Sequence, residues 1–212
     1  MLRRATYSRI LSPWFYAMPR GALRSELIAC LRQSRKSRRP RARGADRRGT
    51  IPNMTSIHDR PAEVAERLVP GHWEGDLIKG ARNASAIGTL VERASLFVTL
   101  AKMENASAEA AVAGFCSVLA RIDAQRRLSL TYDQGREMAQ HARLTEMTQV
   151  RVYFADPHSP WQRGINENTN GLLRQYFPKG ADLSGFSQDQ LDAVAWHRNT
   201  RPRKSLNWLC PA

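Results

Sequence analysis

The order in which apolar runs of different period follow one another over residues 72–198 leaves few folds open. Three strand-length runs come first: His72–Ile78, Ala86–Glu92 and Leu96–Met103. They are rich in Ile, Val, Leu, Phe, Thr and Trp and are separated by Gly80-Ala81-Arg82-Asn83 and Arg93-Ala94-Ser95. Breaks this short predict three adjacent antiparallel strands. Ser107 then caps a run in which Val112, Phe115, Cys116, Leu119 and Ile122 recur at helical spacing, predicting an amphipathic helix to about Arg121 that covers one face of the sheet. Ser129–Tyr132 and Arg151–Phe154 are two further strand-length runs, with a helix expected over Glu137–Met147 between them. Strand, helix, strand at this length calls for a parallel crossover. Asp156–Gly164 holds two prolines and reads as a loop, Asn166–Phe177 reads as a helix stopped by Pro178, and Gln188–Arg198 as a last helix. The pattern by itself implies an α/β class with a mixed sheet.

Charge divides the chain. Of the net +14, residues 1–60 supply +12, with 15 Lys/Arg against Glu26, Asp46 and Asp59, whereas residues 61–212 carry 18 against 16. Gly21–Gln33 is a short amphipathic helix candidate, with Leu23, Leu27, Ile28 and Leu31 at helical spacing. Arg32–Arg48 then holds nine Lys/Arg among Ser, Pro, Gly and Ala, a composition that leaves little to bury and predicts a flexible basic arm. Such an arm suits DNA phosphates, with Arg38, Arg39 and Arg41 as contacts, in strong, poorly selective and salt-sensitive binding; the plainer alternative is a solvated linker. The expected division is an N-terminal remnant over 1–59 and a folded core over 60–212. The arm lacks the apolar face of a membrane-surface helix. Cys30, Cys116 and Cys210 share no metal-ligand spacing, and no signal peptide or long apolar run is present, which points to a reducing cytoplasm and away from structural zinc.

Three acids stand in distinct contexts. Asp76 lies in the first strand run, Asp133 follows Leu130-Thr131-Tyr132, and Glu167 opens the helix after Trp161-Gln162-Arg163-Gly164. Alone, each has a plain explanation: a solvated strand end or turn for the aspartates, a helix-surface or dipole partner for Glu167. Together they match the carboxylate donors that hold two hard divalent cations for in-line displacement at phosphorus. Glu74 and Glu137 are the nearest decoys, and His72, Glu74 and Asp76 fall on one strand face. Trp161, Arg163, Asn170, Arg174 and Lys179 are candidate DNA contacts beside the acids, with Arg201 and Lys204 as a second basic patch. For Trp161 a core anchor is the alternative, and for the asparagines helix capping. Tyr132 and Tyr176 lack the Arg-His-Arg setting of a tyrosine recombinase, and the five histidines form no metal cluster.

The phrases Gly71–Ile78, Asp133–Met138 and above all Asp156–Gly180, with 33 residues between Asp133 and Glu167, carry a resemblance over about Arg20–Pro211. The chain resembles insertion-sequence transposases of the IS-thirty family, within the DDE transposase and retroviral-integrase superfamily. The resemblance implies an RNase H-like mixed five-stranded sheet flanked by helices, in which the strands bearing Asp76 and Asp133 are neighbours and a later helix brings Glu167 across. It also implies a catalytic triad of Asp76, Asp133 and Glu167 holding two Mg²⁺, with Mn²⁺ able to substitute. The implied activity is DNA strand cleavage and strand transfer in the bacterial cytoplasm or nucleoid. Transposon ends and target DNA would be the partners of a homo-oligomer on DNA, with no membrane role. Residues 1–19 do not match, the upstream helix-turn-helix segments of the family find no room, and Trp196–Asn199 and Asn207 depart from its usual ending. The chain therefore reads as truncated at the N-terminus and near the C-terminus. The alternatives are a noncatalytic remnant that binds DNA nonspecifically or acts as an inhibitor, and a stand-alone RNase H-like nuclease.

Overall fold

A computed structural model describes residues 21–29 and 51–212, which fall into two compact units, Met1–Arg47 and Arg48–Ala212. Within the first unit, Ala22–Ala29 forms helix α1, inside the expected Gly21–Gln33 span. The remainder of that expected helix, the basic arm, and Arg38, Arg39 and Arg41 lie outside the described residues.

The second unit starts before the expected boundary at Arg60. Ile51 joins the core, Phe154 donates its amide to the Thr55 carbonyl at 2.9 Å, and Ser56 bridges to Phe154. After a single helical turn, α2 (Glu63–Glu66), come β1 (His72–Lys79), β2 (Ala86–Glu92) and β3 (Val98–Met103). Helix α3 (Ala108–Leu119), β4 (Ser129–Tyr132), α4 (His141–Thr148), β5 (Arg151–Phe154), α5 (Gly164–Leu173) and α6 (Gln188–Asn199) follow. The sheet order is β3-β2-β1-β4-β5. β1, β2 and β3 pair antiparallel, while β4 and β5 run parallel to β1, an RNase H-like arrangement.

Alternation along the strands sorts side chains to two cores. Trp73, Leu77, Leu90, Ala101, Leu130 and Tyr132 meet Phe115 and Leu119 of α3 and Leu144 of α4. On the opposite face Ile78, Ile87, Val91 and Leu100 meet Leu173 of α5 and Leu191 and Ala195 of α6. Ser107 Oγ caps α3 by accepting from the Ala110 amide, and Ser187 with Gln190 forms a capping box on α6. Asn199 Nδ2 and Oδ1 clamp the backbone of Val98, fixing the end of α6 to the sheet edge.

Three expected elements differ. In place of a helix over Glu137–Met147 there is a 3₁₀ turn, Arg136–Met138, and then the shorter α4, because Glu137 and Met138 both turn inward. The expected 156–164 loop contains a 3₁₀ turn, Pro160–Arg163. α5 ends at Leu173, short of Phe177, where the chain tightens so that Phe177 enters the core. Among the described residues no helix is long and apolar enough to cross a membrane.

Candidate active site

β1 and β4 are in register at Glu74 and Thr131. Two residues further along each chain stand Asp76 and Asp133, so two carboxylates emerge at one level of neighbouring parallel strands. Asp76 lies within β1, opposite Thr89 of β2, and not at the strand's end; Asp133 immediately follows β4. One oxygen of each is already engaged. Asp76 Oδ1 accepts the Leu77 amide at 2.8 Å and Asp133 Oδ1 accepts the Gly135 amide at 2.9 Å. Asn170 Nδ2, from α5, donates to Asp76 Oδ2 at 3.0 Å.

The remaining space between the two Oδ2 atoms is shared with a cation of the chain itself. Arg163, almost wholly buried, donates from Nη2 to Asp133 Oδ2 at 3.3 Å and from Nη1 to the Gly75 carbonyl at 3.1 Å, and Nη1 lies 3.8 Å from Asp76 Oδ2. Arg163, an expected DNA contact, thus points inward to the aspartate pair. Burial pushes the Asp76 carboxyl up to about 6; Arg163 opposes the rise and the charges of Asp133 and Glu137 add to it. Tyr132, fully buried beside the pair, has its phenol raised well above 10, by burial first and then by Glu137, Asp76 and Asp133, and its hydroxyl has no partner.

Glu167 sits exposed in the first turn of α5. Burial raises its carboxyl, Arg163 lowers it, and Asp133 and Glu74 raise it further, so it is within electrostatic reach of Asp133. Among the described residues, however, no three His, Cys, Asp or Glu side chains come together closely enough to hold a metal ion. Asp76 and Asp133 are paired; Glu167 stands apart. In kind, the donors fit a hard divalent cation: two clustered carboxylates, one driven up by burial, next to Asn170, whose Oδ1 is buried without a partner.

Sequence reasoning missed the network beneath this pair. Glu74, fully buried on the same face of β1, pairs with the guanidinium of Arg93, while its Oε2 accepts the Asn166 amide at 2.9 Å. Asn166 Nδ2 donates to the Glu74 carbonyl at 2.7 Å, and Thr89 Oγ1 donates to Asn166 Oδ1 and to the Asp76 carbonyl. Because Arg163, the residue before α5, offers no side-chain cap, the Glu74 carboxylate caps the helix that carries Glu167. The shared parity of Glu74 and Asp76 was the available signal; nothing in the β2–β3 turn marks Arg93. Glu137, the second decoy, is buried against Lys79, with Nζ 3.5 Å from Oε2.

The other expected contacts divide. Trp161 is 73% exposed on the 3₁₀ turn, and the next residue is pinned: Gln162 Nε2 donates to Asp156 Oδ2 and Gln162 Oε1 accepts the Asp156 amide, both at 2.7 Å. Lys179, Arg201 and Lys204 are exposed, Arg201 reaching the Tyr176 hydroxyl at 3.3 Å. Arg174 is half-buried and donates to the carbonyls of Lys79 and Phe177.

The integrase core domain family matches residues 66–160, a span that contains Asp76 and Asp133 and stops short of Glu167. The chain is 66% identical over 196 residues to "Transposase for insertion sequence element IS1086" of Cupriavidus metallidurans, covering 92% of this chain and 58% of that protein. It is 43% identical over 201 residues to "Transposase InsI for insertion sequence element IS30A" of Escherichia coli, covering 92% and 52%. A third relative, "Transposase for insertion sequence element IS4351" of Bacteroides fragilis, is 37% identical over 182 residues, covering 84% and 55%. The chain therefore spans little more than half the length of these relatives.

Proposed function

We propose that this chain, similar over 92% of its length to insertion-sequence transposases and matched by the integrase core domain family over residues 66–160, is the catalytic core of an IS-thirty-family, DDE-type enzyme that cleaves DNA strands and joins them to a target. The observation that carries this reading is the level pairing of Asp76 and Asp133 across β1 and β4, with their Oδ2 atoms turned to one cation. Asp76 and Asp133 would hold Mg²⁺, or Mn²⁺ in its place, and Glu167 would complete the set for a second ion. When bound, such ions stabilise charge on the attacking and leaving oxygens of an in-line displacement at phosphorus.

The chain's own groups prepare that displacement. The Leu77 and Gly135 amides engage Oδ1 of each aspartate and so fix which oxygen is presented. Asn170 sets the rotation of Asp76 from the α5 side. Exposed Lys179, Arg201 and Lys204 are suited to backbone phosphates, and the indole of Trp161 to stacking on an unpaired base. Transposon ends and target duplex are the proposed substrates, a homo-oligomer on DNA the proposed working form, and the bacterial cytoplasm or nucleoid the proposed setting.

The test is incubation of the purified chain with supercoiled plasmid and Mg²⁺ or Mn²⁺, beside Asp133→Asn and Glu167→Gln. Metal-dependent nicking and joining that both variants abolish supports the reading. Intact cleavage in Asp133→Asn would sink it. A second reading, a noncatalytic DNA-binding remnant, is favoured by the separation of Glu167 from the aspartate pair. Unchanged DNA retention with no cleavage under either metal would select it.

A further inference from the structure

Arg163 sits in the site without a role in the proposed chemistry. It comes from the turn before α5, yet its guanidinium is buried and reaches back across the site to touch both halves of the aspartate pair and the carbonyl of Gly75 between Glu74 and Asp76. Two carboxylates at one level of adjacent strands repel one another, and burial sharpens that repulsion. A planar cation with a forked set of donors answers it, Nη2 serving Asp133 while Nη1 serves Gly75 and faces Asp76. The same Oδ2 atoms are those that a divalent cation would use.

We propose that Arg163 is a built-in counter-cation that holds Asp76 and Asp133 together until a divalent cation replaces it, and that its guanidinium must leave Asp133 Oδ2 for that exchange. This rests on the metal-binding reading of the two aspartates. Arg163 is then a positioning residue with a competing charge. A like charge a few ångströms from an incoming cation opposes it strongly at the low effective dielectric of a buried site. Asn170 holds Asp76 independently of Arg163, so the pair has a second support when the guanidinium moves.

The experiment is calorimetric titration of the full chain with Mn²⁺, without DNA, for the natural protein, Arg163→Gln and Asp133→Asn. The glutamine keeps a donor but loses the charge. Arg163→Gln should bind Mn²⁺ about tenfold or more tightly than the natural chain, and in EDTA it should melt at a lower temperature, with Mn²⁺ restoring the loss. Equal or weaker Mn²⁺ binding by folded Arg163→Gln, with Asp133→Asn showing that the site is real, overturns the Arg163 proposal alone. If neither the natural chain nor Arg163→Gln binds Mn²⁺, the metal reading fails and takes this proposal with it. Should Arg163→Gln not fold, arginine side-chain ¹⁵N NMR of the natural chain decides. The Arg163 resonance should shift on saturation with Mg²⁺ and stay still in Asp133→Asn; a resonance unmoved by Mg²⁺ in the natural chain rejects the exchange.

Discussion

Glu74 and Asp76 stand two residues apart on one face of β1, and their partners give them opposite work. Glu74 is sealed between Arg93 and the Asn166 amide and has no route to solvent. Asp76 keeps an oxygen turned toward Arg163 and Asn170. The strand alternation announced that these acids share a face; it could not rank them, since the ranking depends on Arg93, which arrives from a turn distant in sequence. Removing one partner of a buried ion pair leaves an uncompensated charge, so Arg93→Met should lower unfolding free energy by about 3–5 kcal/mol in urea titrations. Adding Glu74→Gln to that variant should recover much of the loss, because the amide oxygen can still accept from Asn166. Asp76 yields a pH prediction. Its carboxyl is raised in the fold from 3.8 to about 6, so its contribution to stability is fully present below the unfolded value and is lost as pH rises through about 6. At about 1.4 kcal/mol per pKa unit the loss is on the order of 3 kcal/mol. Asp76→Asn in EDTA should therefore melt higher than the natural chain at pH 8, with the gap closing toward pH 4; a gap that is constant with pH would refute the assignment.

At the scale of elements, the strands were the most legible part. Run length, β-rich composition and short breaks carry their existence, and the alternation of the pleat then sorts their residues to the two cores. The segment after Asp133 was less legible because Glu137 and Met138 are buried for different reasons, one against Lys79 and one in the core, and together they break helical periodicity. Close approach between elements is also hidden in sequence until β1 and β4 are set side by side. A Cβ at Gly75 would lie 2.7 Å from a ring carbon of Tyr132, so the glycine is what allows β1 and the Tyr132 ring of β4 to approach. Gly75→Ala should cost about 1–3 kcal/mol of stability through overpacking and, by shifting Asp76 against Asp133, lower plasmid nicking more than stability alone explains. The turn before α5 makes a separate case. Gln162 is tied twice to Asp156 and Arg163 is anchored in the site, while Trp161 between Pro160 and Gln162 is left facing solvent. A large aromatic on so firm a mount suits base stacking, worth about 1–3 kcal/mol per base. Trp161→Ala should weaken single-stranded DNA binding about tenfold in fluorescence anisotropy and Trp161→Phe much less; equal affinity for all three would assign the indole no stacking role.

Across the whole molecule, charge and acid chemistry are separated along the chain. Residues 1–47 carry 13 Lys/Arg against Glu26 and Asp46, whereas residues 48–212 carry 20 against 17 acids and contain Asp76, Asp133 and Glu167. The compact unit Arg48–Ala212 holds both hydrophobic cores and the full sheet, so it contains what it needs to fold without the basic segment. A nearly neutral core with buried carboxylates is a poor collector of polyanions; a segment dense in arginine is a good one, because each phosphate it neutralises releases counterions. If about half of those 13 cations engage DNA, the logarithm of affinity should fall with the logarithm of salt more steeply in the full chain than in residues 48–212, by about 5–6 units of slope. The two affinities should then converge as salt rises, and residues 48–212 at low salt should retain whatever metal-dependent nicking the full chain has. Parallel salt slopes would mean that the basic segment does not touch DNA. Nicking lost along with the segment would mean that it takes part in the site, and not merely in gathering substrate.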